Sequence, residues 1–261
     1  MGLLQTGAGP IRELEVAFPR PVETLHQIEI TSRCNLRCSY CPSPHLGRPK
    51  VDMTEAHFAR ALEWVKALQR AGTQGRELNL AGIGESTLHP AFPCFLALAR
   101  ATLGDSVDLV LATNGLIADA QLAALLAQHG VQVWVSLHRP ERALRAVHFY
   151  RAAGVLRGIS ADPSLSPNSW AGQIPELVKL ERRDQFACPW LREGWVMAMA
   201  DGRVTTCCLD ADGSGVVGHL DDDPTTIRTR PYRLCRDCYQ VIGVRGYDQR
   251  KGETDGTPAQ V

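Results

Sequence analysis

The chain has no charge imbalance: 28 basic residues stand against 28 acidic ones over 261 positions. Without a net field there is no global pull towards nucleic acid or anionic membrane, and neither is expected as a partner. No run approaches the roughly 20 consecutive apolar residues that a membrane-spanning helix needs, although 44% of the residues are apolar. The opening stretch, Met1-Gly2-Leu3-Leu4-Gln5-Thr6, lacks the basic start and long apolar core of a secretion signal. Nine cysteines are an odd number, so the expectation is a reducing cytoplasm, where clustered thiols bind metal or do redox chemistry rather than pair as disulfides. There is no internal repeat beyond an alternation of strand and helix patterns.

That alternation organises most of the chain. Residues 1–22, with Gly7, Gly9, Pro10, Pro19 and Pro21, read as an irregular lead-in. Residues 26–31 alternate apolar and polar side chains over a strand-like length. A helical pattern then opens at Thr54 and runs through Phe58, Ala61, Leu62, Val65 and Leu68 to Gly72. Strands are predicted over 77–80, 107–112, 131–137 and 155–161, with helices over 92–102, 119–129 and 141–153. This pitch argues for parallel strands with helices packed outside, doubly wound or as a barrel, and for chemistry at the strand C-terminal ends. Beyond residue 188, two short apolar runs joined by Asp201-Gly202 read as a hairpin. Residues 243–261, rich in Gly and polar residues, read as a mobile tail. Cys94, inside the second helical run, reads as a small buried apolar residue.

Cys34, Cys38 and Cys41 follow the first strand at intervals of four and three. Three thiolates can hold a [4Fe-4S] cube at three corners and leave its fourth iron open. A tetrahedral zinc completed by His45, four residues on, is the competing reading. The C-x3-C-x2-C spacing, with aromatic Tyr40 before the last cysteine, resembles the signature of radical S-adenosylmethionine enzymes. Gly82-Ile83-Gly84-Glu85, after the second strand and followed by Leu88-His89-Pro90, resembles that superfamily's Gly-Gly-Glu stretch, with Ser86 where Pro is usual.

The resemblance implies an α/β fold, a partial (βα)6-type TIM-like barrel over residues 23–180. It implies a [4Fe-4S] cluster on the three cysteines and S-adenosylmethionine chelated to the open iron. The nucleotide's contacts would be Tyr40 at the adenine, Gly82, Gly84 and Glu85 at the methionine amino group, Ser136, and to a lesser degree Asn114. By residue type alone, Gly-x-Gly-Glu is a tight turn, Asn114-Gly115 an ordinary turn and Ser136 a strand-end cap. His138, at the same face, is a candidate for catalytic proton transfer or a histidine with no chemistry.

Cys188, Cys207, Cys208, Cys235 and Cys238 provide a second set of thiols, enough for a closed zinc or iron-sulfur site. Cys188-Pro189-Trp190, the segment from Asp201 to Cys208 and the final Cys-x2-Cys resemble the twitch form of the SPASM extension. That implies a small cysteine-rich β-hairpin unit over 181–242. It would bind an auxiliary [4Fe-4S] cluster through Cys188, Cys207, Cys235 and Cys238, with Cys208 as bystander or substitute.

The implied activity is reductive cleavage of S-adenosylmethionine to a 5′-deoxyadenosyl radical, driven by a donor such as flavodoxin or ferredoxin, and hydrogen abstraction from substrate. Compact length is similar to that of twitch-type members that oxidise a secondary alcohol. The expected outcome is a net dehydrogenation of a small molecule such as a sugar or cyclitol. Maturation of a ribosomal peptide is the alternative substrate class, and a zinc-stabilised binding module is the non-enzymatic one.

Overall fold

The computed structural model describes residues 18–160, 169–177, 188–236 and 238. The expected tail over 243–261 and most of the lead-in lie outside those residues. A two-residue strand, β1 (Arg20–Pro21), precedes the alternation β2 (Thr24–Ile28), α1 (Glu55–Arg70), β3 (Glu77–Asn79), α2 (Phe92–Leu103), β4 (Asp108–Thr113), α3 (Ala120–Gln128), β5 (Gln132–Ser136), α4 (Pro140–Ala152) and β6 (Leu156–Ser160). After a short helix α5 (Pro189–Arg192) come β7 (Trp195–Ala198), β8 (Arg203–Thr205), β9 (Val216–His219) and β10 (Arg228–Thr229). The last of these pairs antiparallel with β1.

One eight-stranded sheet runs in the order β6-β5-β4-β3-β2-β7-β8-β9. The first six strands in that order are mutually parallel, and β8 and β9 are antiparallel additions. This is the parallel-rich, helix-covered sheet expected of a partial barrel, with the cysteine-rich hairpin continuing it past β2.

Local chemistry explains the element ends. Thr54 caps α1, its Oγ1 accepting from the His57 N–H at 3.1 Å. Gly72, at φ +74°, turns the chain out just past the helix. The turn at Asp201-Gly202 closes the β7–β8 hairpin with Gly202 at φ +90°. The first strand begins two residues before the predicted stretch and stops at Ile28. Its pairing with β7 carries a bulge between Leu25 and Gln27, which breaks the period-two pattern.

The helices bury their apolar stripes against the underside of the sheet. Phe58 of α1 stacks on Phe95 of α2 with ring centroids 4.2 Å apart, over a core that includes Leu25, Ile28, Leu78, Leu109, Leu111, Val133 and Val135. Cys94 is exposed, contrary to the buried position expected of it. The inward stripe of α2 is Phe92, Phe95, Leu96, Ala99 and Leu103, and position 94 falls on the opposite side of that helix. A second, smaller core gathers Trp190, Leu191, Met197, Met199 and Leu234 around Cys188, Cys235 and Cys238. Among the described residues, no helix is long and apolar enough to cross a membrane.

Candidate active site

The loops leaving the C-terminal ends of β2, β3, β4 and β5 converge on one cavity of about 210 Å³. Its wall includes Cys34, Cys38, Cys41, Tyr40, Gly82, Gly84, Glu85, Asn114, Ser136 and His138, so every first-cavity residue singled out from the sequence meets there. Cys38 is the most enclosed of the three thiols, at 7% exposure. Backbone N–H groups of Leu36 and Ser43 point at Cys34 Sγ and Cys41 Sγ, each at 3.4 Å. Burial pushes both thiols up, Cys41 to about 11, so loading an iron site here must expel protons. Three soft sulfur donors, two of them with N–H groups aimed at sulfur, suit an iron-sulfur cube. His45 is exposed at the end of a 3-10 turn and does not line the cavity, which removes the fourth ligand of the zinc reading. Among the described residues, no three His, Cys, Asp or Glu side chains are grouped as around a single metal ion.

The glycine segment owes its composition to the chain itself. A Cβ on Gly84 would overlap the Thr31 carbonyl oxygen and lie 2.6 Å from that of Arg33, and one on Gly82 would overlap the Glu29 side chain. The two glycines let the β3 loop lie directly on the segment that leads into the cysteines. We expect Gly84→Ala to cost roughly 1–3 kcal/mol through overpacking. A thermal midpoint equal to that of the native protein would contradict this. Ser86, standing where Pro is usual, donates its hydroxyl to the Leu80 carbonyl at 2.7 Å and closes the same loop.

Glu85 is buried, and burial raises its carboxyl above the usual range despite the hydrogen bonds it accepts. Its Oε1 accepts from Thr113 Oγ1 at 2.8 Å and Thr87 Oγ1 at 2.7 Å, while Oε2 accepts from the Asn114 N–H at 2.8 Å. Asn114 turns its amide to the protein as well: Nδ2 donates to Asn35 Oδ1 at 2.8 Å, and Oδ1 accepts from the Leu116 N–H at 3.0 Å. It thereby pins the cysteine loop to the end of β4. Tyr40 Oη and His138 Nδ1 lie 2.9 Å apart, with their rings stacked at 5.8 Å.

Three important residues carried no readable signal. Glu29, fully buried, takes Arg48 Nη2 on both oxygens at 2.8 Å, and also accepts from the Ile83 and Ala200 N–H groups at 3.1 Å each. It thus joins β2, the proline-rich turn, the glycine loop and the hairpin. Trp170 lines the cavity and donates Nε1–H to the Tyr40 carbonyl at 2.8 Å. Glu29 sits at a strand end, Arg48 in a turn and Trp170 in an irregular stretch, and only the fold brings them together.

A second cavity lies under the hairpin, lined by Cys188, Cys207, Cys235 and Cys238 with Ala171, Trp190, Leu191, Leu209 and Tyr232 among their neighbours. Cys208 is not on its wall. Cys188 is pushed up to about 12 by burial and by the nearby thiols. Cys207 is raised well above its ordinary value, first by its contact with Cys208 and then by burial. Here too N–H groups face sulfur, Leu209 towards Cys207 at 3.3 Å and Tyr232 towards Cys235 at 3.5 Å.

Comparison with known proteins agrees with this geometry. A GTP 3′,8-cyclase from Heliobacterium modesticaldum is 34% identical over 148 residues, covering 56% of this chain and 43% of that protein. The chain therefore matches less than half of that relative's length. Among solved structures, BtrN in complex with AdoMet and 2-DOIA superposes with a TM-score of 0.63 at 16% identity, covering 79% of this chain and 85% of that one. The anSMEcpe enzyme with bound AdoMet and Cp18Cys peptide gives 0.52 at 14% identity, covering 76% and 77%. At such identities the likeness is one of fold. The radical SAM superfamily model matches residues 28–161, just over half the sequence and the part that builds the first cavity. The chain belongs to the radical SAM superfamily, whose cofactors are a [4Fe-4S] cluster and S-adenosylmethionine.

Proposed function

We propose that this enzyme abstracts hydrogen from a small hydroxylated molecule, such as a sugar or cyclitol alcohol, and that the net reaction is an oxidation. The observation that carries the reading is the second thiol cavity beside the first. Oxidising an alcohol to a carbonyl removes a hydrogen atom, a proton and an electron, and a redox centre on Cys188, Cys207, Cys235 and Cys238 would accept the last of these. In this reading residues 23–180 form the S-adenosylmethionine unit and 181–242 the auxiliary-cluster unit.

When bound, the two cofactors of the first cavity supply hydrogen-atom abstraction by reductive cleavage of S-adenosylmethionine. The chain does the rest. Cys34, Cys38 and Cys41 would hold the cube. The backbone edge at Gly82 and Gly84, with the remaining acceptor capacity of Glu85 Oε2, receives the methionine ammonium. Tyr40 and Ser136 flank the nucleoside, and Asn114 serves it by fixing the cysteine loop. His138 takes the hydroxyl proton of the substrate. With Nδ1–H donated to Tyr40 Oη, Nε2 is the acceptor of the neutral ring. A flavodoxin or ferredoxin supplies the electron that starts each cycle.

The described lining is compatible with a neutral hydroxylated substrate. Among the described residues on the cavity wall there is no Lys or Arg, whereas a triphosphate such as that of GTP, in the name of the Heliobacterium relative, calls for several.

Anaerobic reconstitution with iron and sulfide tests the assignment. We expect about eight irons per chain if both cubes form, and release of 5′-deoxyadenosine on adding S-adenosylmethionine and reductant. Cys207→Ala should drop the iron to about four while sparing that release at saturating S-adenosylmethionine, and Cys208→Ala should leave both unchanged. Zinc in the second cavity, or an unaltered iron count in Cys207→Ala, would remove the auxiliary cluster from the mechanism.

A further inference from the structure

The two cavities meet at adjacent residues of one segment. Trp170 lines the first and its neighbour Ala171 the second, and both hold left-handed backbone angles, φ +48° and +56°. That conformation is disfavoured for residues with a Cβ, most of all for a bulky one, and persists where surroundings over-determine it. Here the surroundings are specific. Ser169, 3% exposed, accepts the Gly172 N–H on Oγ at 3.2 Å. The Gln173 amide donates through Nε2 to the Trp170 carbonyl at 2.7 Å and the Leu209 carbonyl at 2.6 Å, and accepts from the Ala211 N–H at 3.2 Å.

Leu209 lies two residues past Cys207 of the second cavity, and its own N–H faces Cys207 Sγ. At the other end Trp170 holds the Tyr40 carbonyl, and the Tyr40 side chain meets His138. An unbroken path therefore runs from Cys207 through Leu209, Gln173 and Trp170 to Tyr40. Every link after the first is a hydrogen bond of 2.9 Å or less or a covalent neighbour.

We propose that the segment from Ser169 to Gln173 is a mechanical tie by which the occupancy of the second thiol cavity sets the position of Tyr40 and His138 in the first. Gln173 and Trp170 are its positioning residues. The inference rests on the first cavity being the S-adenosylmethionine site. It adds a role for the second cavity that is separate from electron acceptance: filling it fixes the loop after Cys207, and the tie carries that order to the nucleotide wall.

The test is a double-mutant cycle read by anaerobic calorimetric titration of the reconstituted protein with S-adenosylmethionine, without turnover. Cys235→Ala, which strips a ligand from the second cavity, should weaken S-adenosylmethionine binding about fivefold, the lower end of common coupling strengths. Gln173→Ala should do the same with both iron sites still filled. The double variant should bind no more weakly than the weaker single one, because both changes cut one path. Gln173→Glu, which keeps the side chain's length and loses its donors, should match Gln173→Ala. Trp170 fluorescence should shift in each variant. Native affinity in Gln173→Ala, or losses that multiply in the double variant, would overturn the tie. Failure of the native protein to bind S-adenosylmethionine would overturn the assignment of the first cavity itself.

Discussion

Replacing Cys38 with Ala is expected to abolish reductive cleavage of S-adenosylmethionine. The loss should lie well beyond the roughly 10–100-fold that removal of an outer-shell partner costs a metal site. Of the three thiols, Cys38 is the one most sealed from solvent, so water cannot readily stand in for it. Its carbonyl also accepts the Cys41 N–H at 3.2 Å, a backbone contact that alanine keeps, so the loop should survive the change. Cys94→Ala is the matched control, an exposed thiol on the outer side of α2, and should leave iron content and cleavage untouched. The measurement is 5′-deoxyadenosine released per iron under anaerobic reduction. A Cys38→Ala protein that held a full cube and released 5′-deoxyadenosine at the native rate would sink the three-thiol site.

The second large effect is on stability. Arg48→Ala would leave the Glu29 carboxylate, fully buried, with two backbone N–H donors and no counter-charge. Breaking a buried ion pair from one side costs roughly 3–5 kcal/mol, because the remaining charge stays desolvated. In a chain of this size that should lower the thermal midpoint by roughly 10 °C. Arg48 Nε also donates to the Ala211 carbonyl at 2.6 Å, so the loop beyond the second cavity should loosen too. Removing both charges with Glu29→Met and Arg48→Met should recover most of the loss, since an apolar pair of similar volume often replaces a buried ion pair at little cost. Equal midpoints for Arg48→Ala and the native protein would show that Glu29 finds adequate compensation elsewhere.

How far the sequence could be read depended on the range over which each signal acts. The three thiols, the Thr54 cap, the Gly72 stop and the Asp201-Gly202 turn are local devices, and they stand where their spacing and conformational preferences put them. The alternation of strands and helices follows apolar periodicity, with shifts of at most three residues at the ends. What stayed hidden was long-range. Trp170 meets Tyr40 across 130 positions, and Gln27 of β2 meets Met197 of β7 across 170. The glycines of the β3 loop looked like room for a ligand. In the structure Gly84 makes room for the chain's own backbone and Gly82 for the Glu29 side chain, while both also line the cavity. Cys94 was misplaced because residue type is a weaker guide to burial than position on a helical stripe.

The pairing of β7 with β2 has a consequence for how this protein could be cut or recombined. A fragment ending after β6 would bare the long flank of β2, with the N–H of Glu29 deprived of the Ala198 carbonyl it now meets at 2.8 Å. Such a raw edge invites pairing with another chain. The cysteine-rich part is therefore no detachable cap. It is the selvedge of the main sheet, woven in through β7.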